Sequence, residues 1–357
     1  MQYIEIHNWR RKMSDFISNI PFLNNAKSGK NSIWRYLTTI ILCLGVASLV
    51  AGALLGVLIV VWAVFNQAAF NQNFDTAIIY QLLANPIFII FLVGLSFSLS
   101  FFFLGLSLKV LQKKKLISVI NTRNKVRWSR IGKGAIYWFA ILLVLDLISY
   151  LIDPGSFKIS FNLQNNFWIL ALLALIAFPI QASFEEVFFR GYLVQGVSLI
   201  GNWSPKNRLL LYLMRKISLI RRLVLGISLY IFDKFKKPWV VLLVTSLIFS
   251  LLHWWNGSTI ILSLSIVSGT FIIGLMLGII TLADDGIEMA IGVHIINNIY
   301  VSVIHSSPDG GLGNLPSIIV SPSDPYAAPL FLILAAAVLI YLLFRNRKED
   351  VLRIFKG

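Results

Sequence analysis

The stretch FWILALLALIAFPIQASFEEVFFR, Phe167–Arg190, decides the fold. It is apolar almost throughout, it is long enough to cross a bilayer, and it ends in two adjacent carboxylates and a guanidinium. A charge in the hydrocarbon region costs free energy, so ionisable groups placed there are read as functional until shown otherwise. The remainder of the chain shows whether a bilayer surrounds this stretch.

Of the 357 residues 57% are hydrophobic and 13% charged, and the mean hydropathy is +0.80, values outside the range of a soluble globular domain. Apolar windows of membrane-spanning length fall at 34–65, 86–110, 134–152, 167–184 running on through the charged motif, 238–254, 259–282, 287–304 and 326–344. The expected fold is therefore an all-α polytopic membrane protein of about eight transmembrane helices, with an intramembrane cavity that faces the cytoplasm. Pro86 marks the start of the second span, because the residue before a proline avoids helix.

The net charge of +16 raises the question of nucleic-acid binding, and the distribution of the charge answers it. Of the 31 basic residues, 28 lie before the first span, between spans two and three, between four and five, and after span eight. With eight spans these segments share one side, which the positive-inside rule makes the cytoplasm, with both termini there. Nucleic acid is excluded as a partner, and the lipid bilayer with its anionic head groups is the expected one. The expected location is a multi-pass position in a bacterial plasma membrane. No cleavable signal is expected, because the first 30 residues are polar and the apolar run after them is too long for a signal core. The single cysteine, Cys43, excludes an internal disulfide and reads as a packing residue.

No internal repeat and no separate soluble domain is visible. The segment 202–237 is amphipathic, with Arg215, Lys216, Arg221 and Arg222 near its middle, and reads as an interfacial helix that anchors at the lipid surface or guards the site. The chain divides into a basic N-terminal segment at 1–33, three helices at 34–152, a core at 153–305 that includes the insert, and a loop, last helix and basic tail at 306–357. The small-residue pairs Gly52/Gly56 and Gly274/Gly278 are expected at close helix contacts.

The intramembrane polar residues make a short list: Asp146, Glu185, Glu186, Arg190, His253, His294, Asn297 and Asn298. Of the other two histidines, His7 lies near a terminus and His305 at a span end. Neighbours on a helix point about 100° apart, so Glu185 and Glu186 have different roles. Glu186 and Arg190 are i, i+4 in the favourable order and neutralise each other, which leaves Glu185 without a local partner. Such a carboxylate can serve as a general base toward water, or it can pack against a polar cavity; this segment alone leaves both open. Span five ends Phe249-Ser250-Leu251-Leu252-His253, and span seven carries His294 and Asn298 at i, i+4, a pair able to hold an oxyanion or to clamp two helices.

The series EExxxR (Glu185–Arg190), FxxxH (Phe249–His253) and HxxxN (His294–Asn298), in that order on successive membrane helices, resembles the CPBP family of intramembrane proteases. These are the CAAX prenyl protease type 2 and bacteriocin-processing or Abi enzymes, including lysostaphin-resistance-like proteins. The resemblance spans about Phe178–Tyr300. It implies an endopeptidase acting on membrane-associated proteins or peptides. Glu185 would be the base, sharing the attacking water with His253. His294 and Asn298 would hold the oxyanion, and Glu186, Arg190 and Phe249 would support the site. The family has also been read as zinc enzymes, in which case Glu185, His253 and His294 would be the ligands. The chain has no HExxH, and an amide stands where a ligand would be expected, which favours a metal-independent glutamate mechanism with no cofactor. A non-catalytic immunity or scaffold protein and a proton-coupled transporter are the rival classes.

Overall fold

The computed structural model describes residues 19–65, 85–159, 167–200, 234–235, 237–308 and 317–356. The basic N-terminal tip and nearly all of the 202–237 insert lie outside the described residues. Among these residues, seven helices are long and apolar enough to cross a membrane. They are α1 (Ile33–Val61), α2 (Pro86–Val110), α3 (Trp128–Ile152), α4 (Phe167–Ser198), α5 (Pro238–Asn256), α6 (Ile260–Asp284) and α8 (Ala327–Phe344). The shorter apolar helix α7 (Glu288–Ile304) lies between α6 and α8. The chain is thus an all-α polytopic membrane protein, and each apolar window forms its own helix.

Boundaries follow local chemistry. Pro86 takes the first helical position of α2, where no N–H is needed, and the Asn85 side chain accepts from the Ile87 N–H to cap the end. At α3 the helix begins six residues before the apolar window, because Trp128, Arg130 and Lys133 extend it beyond the lipid-facing part. The regular part of α5 is only Pro238–Leu251, 14 residues or about 21 Å, less than the roughly 30 Å hydrocarbon thickness. His253 lies two residues beyond that end.

The helices α3 and α7 run parallel and meet backbone to backbone. Arg127 and Glu288 pair at one end, Trp138 Nε1 donates to Asn297 Oδ1 at 3.1 Å midway, and Tyr300 bonds Asp146 further along. Gly134 faces the Met289 carbonyl and Gly292 faces the Ile131 carbonyl, both so closely that a Cβ would overlap the oxygen. Gly292→Ala is expected to cost about 1–3 kcal/mol, the cost of overpacking a tight contact, because the obstacle is backbone and cannot turn aside. Thermal melting in detergent checks this; an unchanged melting temperature would show that the two helices can separate without cost.

The pair Gly274/Gly278 behaves as expected: Gly274 admits Ser246 and Arg190, and Gly278 admits Leu242, which seats α5 on α6. At Gly52 and Gly56 no atom of the described residues lies within 4 Å of where a Cβ would stand. Small residues permit close packing but do not supply the partner helix.

A ring of charge closes the end of the bundle where α3 and α7 begin. Arg127 pairs with Asp284 (3.1 Å) and Glu288 (2.6 Å), while Arg347 and Arg353 of the C-terminal tail pair with Asp284 and Asp285 at 3.0 and 3.1 Å. At the opposite end, three two-residue strands form a small sheet that the hydropathy pattern does not announce. In it β3 (Ile319–Val320) lies between β1 (Lys158–Ile159, antiparallel) and β2 (His305–Ser306, parallel).

One cation of the α2–α3 connection is not solvated. Lys114 is buried, donates to Gln195 Oε1 at 2.8 Å, and burial pushes its ammonium down to about 8 from 10.5. Below pH 8 the folded and unfolded chains both hold the proton, and the folded state carries the full desolvation cost. Between 8 and 10.5 the unfolded chain binds more protons, so this group's contribution to stability rises with pH by on the order of 3 kcal/mol. Melting of wild type and Lys114→Met from pH 7 to 10.5 should therefore show wild type gaining on the variant as pH rises. A gap constant with pH would refute the assignment.

Candidate active site

The site is assembled on the second half of α4. Pro179 lies inside this helix, and the turn from Glu186 to Leu193 is widened into π-helix. Such insertions recur at functional positions, because they re-aim side chains that a regular helix would direct elsewhere. Two contacts set the rotation of this segment. Phe184, Phe188 and Tyr192 stack along one face, with Tyr36 of α1 against Tyr192 at 4.9 Å between centroids. Gly191 lies against the Val119 carbonyl, where no larger residue fits. With those faces occupied, Glu185, Glu186 and Arg190 turn toward α5, α6 and α7.

The three charged groups are 5%, 0% and 3% exposed, so water does not screen them and their pairing decides whether the site is tolerable. Arg190 Nη1 donates to Glu186 Oε1 at 2.8 Å, the i, i+4 pair read from the spacing. The guanidinium also lies 4.1 Å over the Phe249 ring. Gln181 Nε2 donates to Glu185 Oε1 at 3.1 Å, so Glu185 has a neighbour that the spacing argument overlooked, one turn earlier on its own helix.

His294 joins the two carboxylates. Its Nδ1 is 2.6 Å from Glu186 Oε1 and its Nε2 is 3.5 Å from Glu185 Oε2. Adjacent glutamates that cannot address one atom therefore address the two nitrogens of one ring. The Nδ1–H donates to Glu186; for the second contact to be attractive, a proton has to lie on Nε2 or on Glu185 Oε2. The imidazole thus lies between the two carboxylates, hydrogen-bonded to Glu186 and facing Glu185.

Phe249 brings the second motif to this centre. Its ring packs on Phe189 (5.1 Å), on His294 (6.2 Å, edge on) and on His253 (4.7 Å). The His253 Nδ1 is 2.8 Å from the Phe249 carbonyl. A carbonyl only accepts, so the N–H is on Nδ1 and the Nε2 lone pair is left to accept from water. Asn298 lies one turn beyond His294 and is half-buried; its Oδ1 accepts from Asn297 Nδ2 at 3.3 Å, and its own Nδ2 has no hydrogen bond among the described residues. Asn297 is committed to Trp138. Asp146 stands apart from this centre, bonded to Tyr300 and His305.

Four buried polar atoms in the centre lack a hydrogen-bond partner among the described residues: Glu185 Oε2, Glu186 Oε2, Arg190 Nη2 and Gln181 Oε1. Unsatisfied polar atoms are costly, so a cluster of them marks a place that can take up water or a peptide group. A zinc held by Glu185, His253 and His294 needs those donors to converge at about 2 Å from one point. Among the described residues no three His, Cys, Asp or Glu side chains are so grouped.

Residues 165–300 match the family model described as type II CAAX prenyl endopeptidase Rce1-like. The chain is also similar to a protein of Bacillus subtilis (strain 168), the uncharacterized protein YyaK, at 24% identity over 295 residues, 81% of this chain and 84% of that one. No solved structure matches the chain significantly. The matched interval begins just before α4, ends within α7 and contains all three motifs, so it is this core of the multi-pass membrane protein that is similar to the type II CAAX prenyl endopeptidase Rce1-like family.

Proposed function

We propose that the protein is an intramembrane endopeptidase that hydrolyses peptide bonds of membrane-associated proteins or peptides without a metal, with its site opening toward the cytoplasm and both termini on that side. The observation that carries this reading is Glu185 Oε2, a buried carboxylate oxygen with no hydrogen-bond partner among the described residues, facing His294. Glu185 takes the proton of a water as its oxygen attacks the scissile carbonyl, and the lone pair of His253 Nε2 orients that water. Asn298 Nδ2, which has no hydrogen bond among the described residues, donates to the developing oxyanion. His294 acts closer to Glu185 than its HxxxN spacing suggests. It offers its Nε2–H to the oxyanion once Glu185 has been protonated. Glu186 and Arg190 keep the imidazole in place. A prenylated C-terminus is the substrate that the family description names, and a small membrane peptide fits the same chemistry.

The test compares amino termini of membrane peptides in cells that carry wild type or Glu185→Gln at matched expression. New termini found only with wild type support the protease and identify its substrate. Identical peptide sets would count against it and favour a scaffold, immunity or transport role.

A further inference from the structure

A second constellation lies at the other end of α3 and α7, about 15 Å along α7 from His294 at 1.5 Å per residue. His305 Nδ1 is 2.8 Å from Asp146 Oδ2, and His305 Nε2 is 2.7 Å from Ser321 Oγ. Asp146 also accepts from the Tyr300 hydroxyl, which with the imidazole fixes its orientation. A carboxylate only accepts, so the N–H of His305 is on Nδ1, and Nε2 accepts the Ser321 proton. This is a nucleophile, a base and an orienting group in the order and at the distances that acyl-transfer sites require.

The sheet supplies a fourth part. In the parallel pair His305 is opposite Ile319 and Ser306 opposite Val320, and the Ser321 N–H continues the ladder to the Ser306 carbonyl at 3.2 Å. Ser307 directly follows this strand pair, and the register carried one residue on would set it opposite Ser321. The Ser307 hydroxyl is buried and has no hydrogen-bond partner among the described residues, which makes it the candidate donor to an oxyanion formed at Ser321. Phe157 packs on the imidazole at 5.4 Å and shields one of its faces.

We propose that Ser321, His305 and Ser307 form a second, serine-dependent acyl-transfer site, positioned by Asp146 and independent of Glu185. The Ser321 N–H is already donated to Ser306, so the oxyanion has one side-chain donor and no backbone N–H from the nucleophile. That limited stabilisation suits carboxylic esters, whose alkoxide leaves readily, and not amides. Ser321 Oγ bonds to the acyl carbon as its proton passes to His305 Nε2. The alkoxide departs with that proton as an alcohol. Water then attacks the acyl-serine and gives a proton to His305; the carboxylic acid is released and Ser321 recovers its hydrogen.

The probe is a fluorophosphonate applied to the full chain in lipid vesicles, with the modified residue located by mass spectrometry in wild type and in Glu185→Gln. The expected result is an adduct on Ser321 in both, absent in Ser321→Ala. Its rate should fall about 100-fold or more in His305→Gln and about 10-fold or more in Ser307→Ala. Asp146→Asn should lower the rate and Asp146→Glu restore part of it, a rescue that a merely structural aspartate would not give. A folded wild type with no adduct on Ser321, or a rate indifferent to His305→Gln, would overturn the proposal.

Discussion

Glu185→Gln should abolish peptide cleavage while leaving the fold as stable as before or more so. The amide keeps the volume of the side chain and can still accept from Gln181 Nε2 through its carbonyl oxygen. What it loses is the ability to take a proton, and general-base catalysis of this kind contributes about 10²–10⁴ in rate. Stability should move the other way or not at all. Glu185 is 5% exposed, its Oε2 has no hydrogen bond, and a buried charge with incomplete partners is a cost that a neutral isostere removes. Single-turnover cleavage in vesicles, paired with thermal melting of the same preparations, separates the two effects. Full activity in Glu185→Gln would sink the glutamate mechanism. Lost activity with a large fall in melting temperature would make Glu185 a structural group.

Much of this architecture is legible in the sequence because membrane spans are set by length and hydropathy, quantities local to a segment. The eight apolar windows and the start of α2 at Pro86 follow from that alone. The Glu186–Arg190 pair was legible for the same reason, being an i, i+4 contact within one helix. Contacts between segments were not. The Gly134 and Gly292 backbone contacts belong to two helices whose partnership no spacing rule reveals, whereas the Gly52/Gly56 pair has the spacing and no partner among the described residues. Asp146, His305 and Ser321 come from α3, the end of α7 and the residue after β3, and they meet only because the two-residue strands bring the last two together. The place of His294 between two glutamates depends on the widened turn of α4, which the glutamate spacing cannot express. The burial of Lys114 was hidden by its company: in a run of three lysines only the fold shows which one is turned inward.

Arg190→Met should be the most destabilising substitution in the site, and its reversal identifies the cause. Arg190 is 3% exposed and Glu186 is 0%; the guanidinium donates to Glu186 Oε1 and covers the Phe249 ring. Methionine fills most of the stem volume and keeps contact with the ring, so packing is largely conserved. The charge of Glu186 is then left in the interior with only His294 beside it, and breaking a buried pair in this way costs about 3–5 kcal/mol. If the uncompensated carboxylate is the cause, Glu186→Gln placed on Arg190→Met should recover most of that loss, although it removes a second native group. If instead the guanidinium acts mainly through Phe249 and the packing of α5, the double variant should be no more stable than Arg190→Met alone. Melting temperatures of the four proteins in the cycle give the coupling directly. The same cycle read for cleavage distinguishes support from chemistry. A double variant that regains its fold but not its activity would show that Glu186 is needed to hold His294 Nδ1 at 2.6 Å, and with it the imidazole that faces Glu185.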